Sequence, residues 1–178
     1  MKVIKVLSFT MFILAISTTV QAQKVGVRAG ITISNVSGDA DTKPLTGFYA
    51  GVFKEITLVP ELVYLQPELQ YSMQGYKVED TKVSIGYLNI PVLAKVYVVK
   101  TFSLEAGPQV GFKINDNLDV PEGGNEIKTF DTAFVGGLGF NFPMGLSINA
   151  RYALGLSEII KDSDAKNQVI QLGAAFKF

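Results

Sequence analysis

The chain has 178 residues, enough for one domain of ordinary size, and its 16 basic and 16 acidic residues give a net charge of zero. That balance argues against a nucleic-acid binder, which carries a basic excess. The absence of His and Cys excludes disulfides, a lipid-modified N-terminal Cys, His-based general base catalysis and thiol nucleophiles, and removes the usual ligand sets for zinc, haem and iron–sulfur cofactors.

The first element is an export signal. Lys2 and Lys5 form a positive region, Val6 to Val20 an apolar run, and Val20-Gln21-Ala22 offers small residues at the −3 and −1 positions of a cleavage site. A membrane anchor would need about 20 apolar residues, and this run is shorter. Residues 1–22 are therefore expected to be a signal peptide and 23–178 the folded domain. Cleavage after Ala22 removes two cations and no anion, which leaves a net charge of −2.

From Gln23 onward the hydrophobic period is two, the signature of strands with one apolar and one polar face. Val25, Val27, Ala29, Ile31 and Ile33 alternate with Lys24, Gly26, Arg28, Gly30, Thr32 and Ser34. A second strand is required near Gly47 to Lys54. Phe48, Ala50 and Val52 are its expected apolar face, although Tyr49 and Phe53 blur the phase. The third strand alternates Leu65, Pro67, Leu69, Tyr71 and Met73 with Gln66, Glu68, Gln70, Ser72 and Gln74. The fourth sets Leu88, Ile90, Val92, Ala94 and Val96 against Asn89, Pro91, Leu93 and Lys95. The fifth sets Phe102, Leu104, Ala106, Pro108, Val110 and Phe112 against Ser103, Glu105, Gly107, Gln109 and Gly111. Strands near 134–142, 146–156 and 170–178 continue the pattern, and no segment of the domain shows a helical period. Pro67, Pro91 and Pro108 each remove a ladder donor, and local bulges are expected there.

The connections alternate in length. Residues 35–46, 75–82, 114–128 and 157–167 are polar and long, whereas 55–61, 99–101 and 143–145 are short. Pro143-Met144-Gly145 fits a three-residue hairpin with Gly in the left-handed position. Eight strands joined in this way predict an all-β, eight-stranded antiparallel up-and-down transmembrane β-barrel, with short periplasmic turns and longer outer loops.

Size decides which face points inward. The interior of an eight-stranded barrel holds side chains or one small ligand. The apolar face carries about forty side chains on this strand template, many of them large, and these would overfill it. The other face is rich in Gly, Ser, Ala, Asn and Gln and fits. A soluble lipocalin-like barrel, with the apolar face inward around a lipid, is the alternative. With the polar face inward, Arg28, Glu68, Lys95, Glu105 and Arg151 form a polar network in the lumen, and Asp131 lies near an outer end. A turn centred on Lys100 sets Lys95 opposite Glu105. A turn centred on Met144 sets Gly137 opposite Arg151, which leaves room for the long side chain, and Gly136 beside Tyr152, an aromatic over a glycine on the lipid face.

The segments LQPELQYSMQG (65–75), GYLNIPVLAKVY (86–97), LEAGPQVGF (104–112), VGGLGFNF (135–142), ARYALGL (150–156) and QLGAAFKF (171–178) resemble the small PorT-like outer-membrane β-barrel proteins of Bacteroidota. The resemblance spans most of the domain. It implies an eight-stranded barrel in the cell outer membrane and makes the in-strand prolines a family feature. A founding member is linked to secretion, but most relatives have no assigned activity, and that role is not carried over. Phe178 matches the terminal aromatic that barrel-assembly machinery reads in many outer-membrane proteins.

The functional expectation is a structural or interaction protein that works through its loops, without catalysis, cofactor or metal. Its expected partners are outer-membrane lipid, the assembly machinery and an unidentified extracellular or periplasmic protein, and no nucleic acid. A narrow porin-like channel is the second class. A barrel enzyme is disfavoured because no Ser–His arrangement can form without His. Asp116, Asp119, Glu122 and Glu126 against Lys128 suit a solvated loop better than a cation site, and their spacing does not match an EF-hand.

Overall fold

The structure, a computed structural model, describes residues 24–37, 43–78, 81–116, 129–158 and 166–178. The signal-peptide reading and the acidic segment 117–128 lie outside the described residues. Among the described residues there are eight strands: β1 (Lys24–Ser37), β2 (Lys43–Val59), β3 (Val63–Val78), β4 (Thr81–Val99), β5 (Phe102–Asp116), β6 (Phe130–Asn141), β7 (Leu146–Glu158) and β8 (Lys166–Lys177). Each pairs antiparallel with its neighbours, and β1 pairs with β8 to close the barrel.

The usual distribution of residue types is inverted. Arg28, Gln66, Glu68, Gln70, Asn89, Lys95, Glu105, Asn149, Arg151 and Gln171 are buried, whereas Val27, Ile31, Phe48, Val52, Phe134, Leu138, Ile148 and Leu172 are exposed. In water such an apolar band would drive aggregation; in lipid it is the required surface of a spanning barrel. Aromatic side chains mark its edges. Phe48, Tyr71, Phe112 and Phe130 meet in pairs towards the long-connection end, and Phe140, Phe142, Phe176 and Phe178 towards the short-turn end. From Phe130 to Phe140 is about 33 Å along the strand. A tilt of about 40° reduces this to about 25 Å along the membrane normal, the height of such a band.

β2 resolves its ambiguous phase. Phe48 and Val52 face outward and Tyr49 and Phe53 are buried in the lumen. Glycines on β1 and β8 accept these rings. A Cβ on Gly26 would stand 2.3 Å from the Phe53 ring, and one on Gly173 would stand 2.4 Å from the Tyr49 hydroxyl.

Three expectations need correction. The strands run further than hydropathy suggests: β2 continues to Val59, and β3 and β4 are separated by residues 79 and 80 alone. Beyond the lipid the outer face need not be apolar, so the alternation fades while the ladder persists. The prolines cause no bulge. Pairing lapses between Pro67↔Val92 and Gln70↔Asn89, and again between Pro91↔Gln109 and Ala94↔Ala106, but it resumes in the same register. Each proline forfeits a donor without adding a residue. Finally, Gly136 does pair with Tyr152, yet a Cβ there would meet no atom within 4 Å, so the ring does not cover it. At the β6–β7 turn Gly145 (φ 86°) is left-handed as the sequence predicts, and Met144 (φ 70°) joins it.

Candidate functional site

The lumen is filled in layers. Its central layer is an ion cluster. Arg151 on β7 donates from Nε to Glu105 Oε1 at 2.8 Å and from Nη2 to Glu105 Oε2 at 2.7 Å. The same guanidinium reaches across to Glu68 on β3, from Nη1 at 2.9 Å and Nη2 at 2.8 Å. Arg28 on β1 donates to Glu68 at 3.2 Å, and its guanidinium carbon lies 5.2 Å from the Phe53 ring centroid. Gln66 bridges the two carboxylates, donating to Glu68 at 2.5 Å and Glu105 at 3.3 Å, and Gln70 donates to Glu68 as well. Two cations and two anions are thus balanced in the buried centre of the lumen, with amides donating to the same carboxylates. A buried charge requires this compensation. The planar fork of Arg suits two carboxylates at once.

Backbone register makes the cluster possible. Glu105 pairs with Gly137, and Gly137 pairs with Arg151. A Cβ on Gly137 would stand 2.7 Å from Arg151 Cγ. The glycine therefore lets the Arg side chain lie over β6 and reach β5.

Lys95 behaves differently from expectation. It does pair with Glu105 across β4 and β5, but the Glu105 oxygens are held by Arg151. Lys95 Nζ turns to Glu55 Oε1 on β2, at 3.0 Å. Glu55 also accepts from Lys177 Nζ at 2.8 Å and from the Tyr97 hydroxyl at 3.1 Å. Lys177 Nζ donates to the Tyr97 hydroxyl, also at 3.1 Å. The five residues expected in one network are therefore divided. Arg28, Glu68, Glu105 and Arg151 meet at the centre. Lys95 belongs to a second cluster nearer the short turns, with Glu55, Tyr97 and Lys177. Glu55 was missed because it fell in a segment read as a connection. Its odd parity with Tyr49 and Phe53 was the available signal. Phe178 packs edge to face on Phe176, with centroids 5.3 Å apart, and its backbone amide donates to Val25 at 2.9 Å.

On the other side of the central layer lies an apolar group, Leu93, Ala133, Val135, Ala153 and Val169, all buried. Above it lies a polar zone in which Ser157 donates to Asp131 at 2.6 Å and Asn167 to Gln74. Among the described residues, no group of three or more Asp or Glu is placed to hold a metal ion.

A family model described as the outer membrane protein beta-barrel domain matches residues 21–161. No curated protein matches. Similar solved structures include the attachment invasion locus protein Ail of Yersinia pestis, at 17% identity and a TM-score of 0.56, covering 89% of this chain and 100% of that one. The Neisserial surface protein NspA matches at 11% identity and 0.61, covering 86% and 97%. OprG of Pseudomonas aeruginosa matches at 14% identity and 0.53, covering 89% and 97%. At these identities the likeness is one of fold.

Proposed function

We propose that this chain, which belongs to the family of outer membrane protein beta-barrel domains, is a closed, non-conducting barrel that acts through the surface it presents outside the membrane and carries out no catalysis. The observation behind this reading is the central layer. Four fully buried charged side chains, tied by Arg151 to two carboxylates, occupy the lumen where a pore would need water. The apolar group next to it adds a second obstruction. Little path remains for an ion, and the working surface is left at the barrel ends.

Several finer readings accompany this one. The matching segments favour a PorT-like relationship of the Bacteroidota kind. Residues 1–22 would direct export, and Phe178 would be read by the assembly machinery. Ail, a barrel of the same fold, is known in complex with the heparin analogue sucrose octasulfate, a precedent for ligand engagement by this architecture.

Planar-bilayer recording tests the closed lumen. The purified protein should give no large, steady channels, and stable openings of porin size would overturn the reading. Capture of partners from intact cells, compared with capture after the 38–42 and 117–128 segments are shortened, tests the surface role. Unchanged capture would remove it.

A further inference from the structure

The barrel holds a cavity of about 440 Å³ at the short-turn end, within the range of small-molecule sites. It is blind. Its inner wall is the Glu55, Lys95, Tyr97 and Lys177 cluster, and the central ion layer lies behind that. In an outer-membrane barrel the short turns face the periplasm, so the cavity opens at the periplasmic leaflet.

Its lining has two characters. Lys24, Lys95, Lys100 and Lys177 stand against Glu55 and Glu61. Glu55 is already engaged by Lys95, Lys177 and Tyr97. Lys24 and Lys100 are exposed and hold no ion pair among the described residues. Two unpaired ammonium groups therefore stand at the opening, and the lining as a whole sets four lysines against two glutamates. The other lining residues include Phe142, Leu146 and Phe178. By strand parity these point outward and belong to the lipid-facing band. The cavity therefore spills over the rim between β6, β7 and β8, so that one continuous surface runs from cationic mouth to lipid.

We propose that this mouth binds the phosphate headgroup of an anionic phospholipid of the periplasmic leaflet. Lys24 and Lys100 hold the phosphate, and the acyl chains lie over Phe142, Leu146 and Phe178. A free phosphate monoester offers the same headgroup chemistry but cannot use the apolar rim, which is the reason to favour the lipid.

Titration calorimetry in detergent micelles separates the two sources. The probes are dihexanoyl phosphatidylglycerol, dihexanoyl phosphatidylcholine and glycerol phosphate. Phosphatidylglycerol should bind one per barrel and more tightly than either of the others. Lys24→Gln with Lys100→Gln should weaken it about 25-fold, at about fivefold per lysine near a lipid headgroup. Lys43→Gln, at the opposite end of the barrel, should leave it unchanged. Leu146→Ser should weaken the lipid and spare glycerol phosphate. Circular dichroism would establish that each variant keeps its strands. Equal affinity for phosphatidylcholine would overturn anion recognition. Equal affinity for glycerol phosphate would overturn the lipid as ligand. A loss with Lys43→Gln as large as that with the double variant would reduce the effect to general annular attraction and overturn the site.

Discussion

The central cluster and the mouth cluster use similar chemistry in neighbouring layers of one lumen, yet they are built for different ends. At the centre, Arg151 makes four hydrogen bonds to two carboxylates, and the side chains of Arg151, Glu68 and Glu105 are almost wholly buried. At the mouth, two lysines share one carboxylate, and the Lys177 side chain keeps 19% of its surface. A rigid planar fork fixes geometry; a flexible point charge tolerates a change of partner. Arginine thus holds the buried centre, and lysine occupies the layer that borders a cavity.

The largest expected effect tests the centre. Arg151→Met leaves Glu68 with Arg28 as its cation, beside the Gln66 and Gln70 amides, and strips Glu105 of its guanidinium partner. Loss of one partner from a buried cluster costs about 3–5 kcal/mol, to be read as a shift in urea unfolding from lipid vesicles. A loss below about 1 kcal/mol, the range of exposed pairs, would erase the distinction between the layers.

A double-mutant cycle then sharpens the boundary between them. Lys95→Met should cost about 1.5–3 kcal/mol through its charged hydrogen bond, and it should couple to Glu55→Gln more strongly than to Glu105→Gln. The reverse order would return Lys95 to the central cluster. Packing gives the next test. A Cβ on Gly173 would stand 2.4 Å from both the Ala29 carbonyl and the Tyr49 hydroxyl, so Gly173→Ala should cost about 1–3 kcal/mol. Gly136→Ala faces open space on the lipid side and should change stability by no more than about 0.5 kcal/mol. Among the lumen charges, the smallest effect is expected at the mouth. Lys177→Gln leaves Glu55 with Lys95 and Tyr97, and should cost below about 1 kcal/mol. A cost equal to that of Arg151→Met would make the mouth as essential to the fold as the centre.

Alternation of apolar and polar residues revealed the barrel because each strand has one lumen face and one lipid face, and a period of two survives any detail of packing. Register was also legible where a turn centre could be placed, as with Lys95 opposite Glu105 and Gly137 opposite Arg151. Ion pairing was not. A register names the residue across one ladder, but in a narrow lumen side chains reach past it: Arg151 on β7 finds Glu68 on β3, and Lys95 on β4 finds Glu55 on β2. Which partner wins depends on who else is in the layer, and that is set by curvature and closure. Tyr49 and Phe53 were obscured for a related reason. Their inward placement depends on glycines in other strands, Gly26 and Gly30 on β1 and Gly173 on β8 at the far end of the chain.

The seam between β1 and β8 has a consequence for how the protein comes to exist. Gly26 pairs with Lys177 and Ser37 with Lys166, so almost the entire chain is the loop that this last ladder ties off. The other seven ladders join neighbours along the chain and can form early. This one joins contacts of the greatest sequence separation, the kind that slows folding most. Until it forms, two rows of amide and carbonyl groups lie open, and hydrocarbon offers them no water. A half-built barrel is thus a poor resident of the bilayer core, and insertion and ring closure are expected to occur as one event. Vesicle refolding followed at once by tyrosine fluorescence and by β1–β8 proximity should show the two signals rising together.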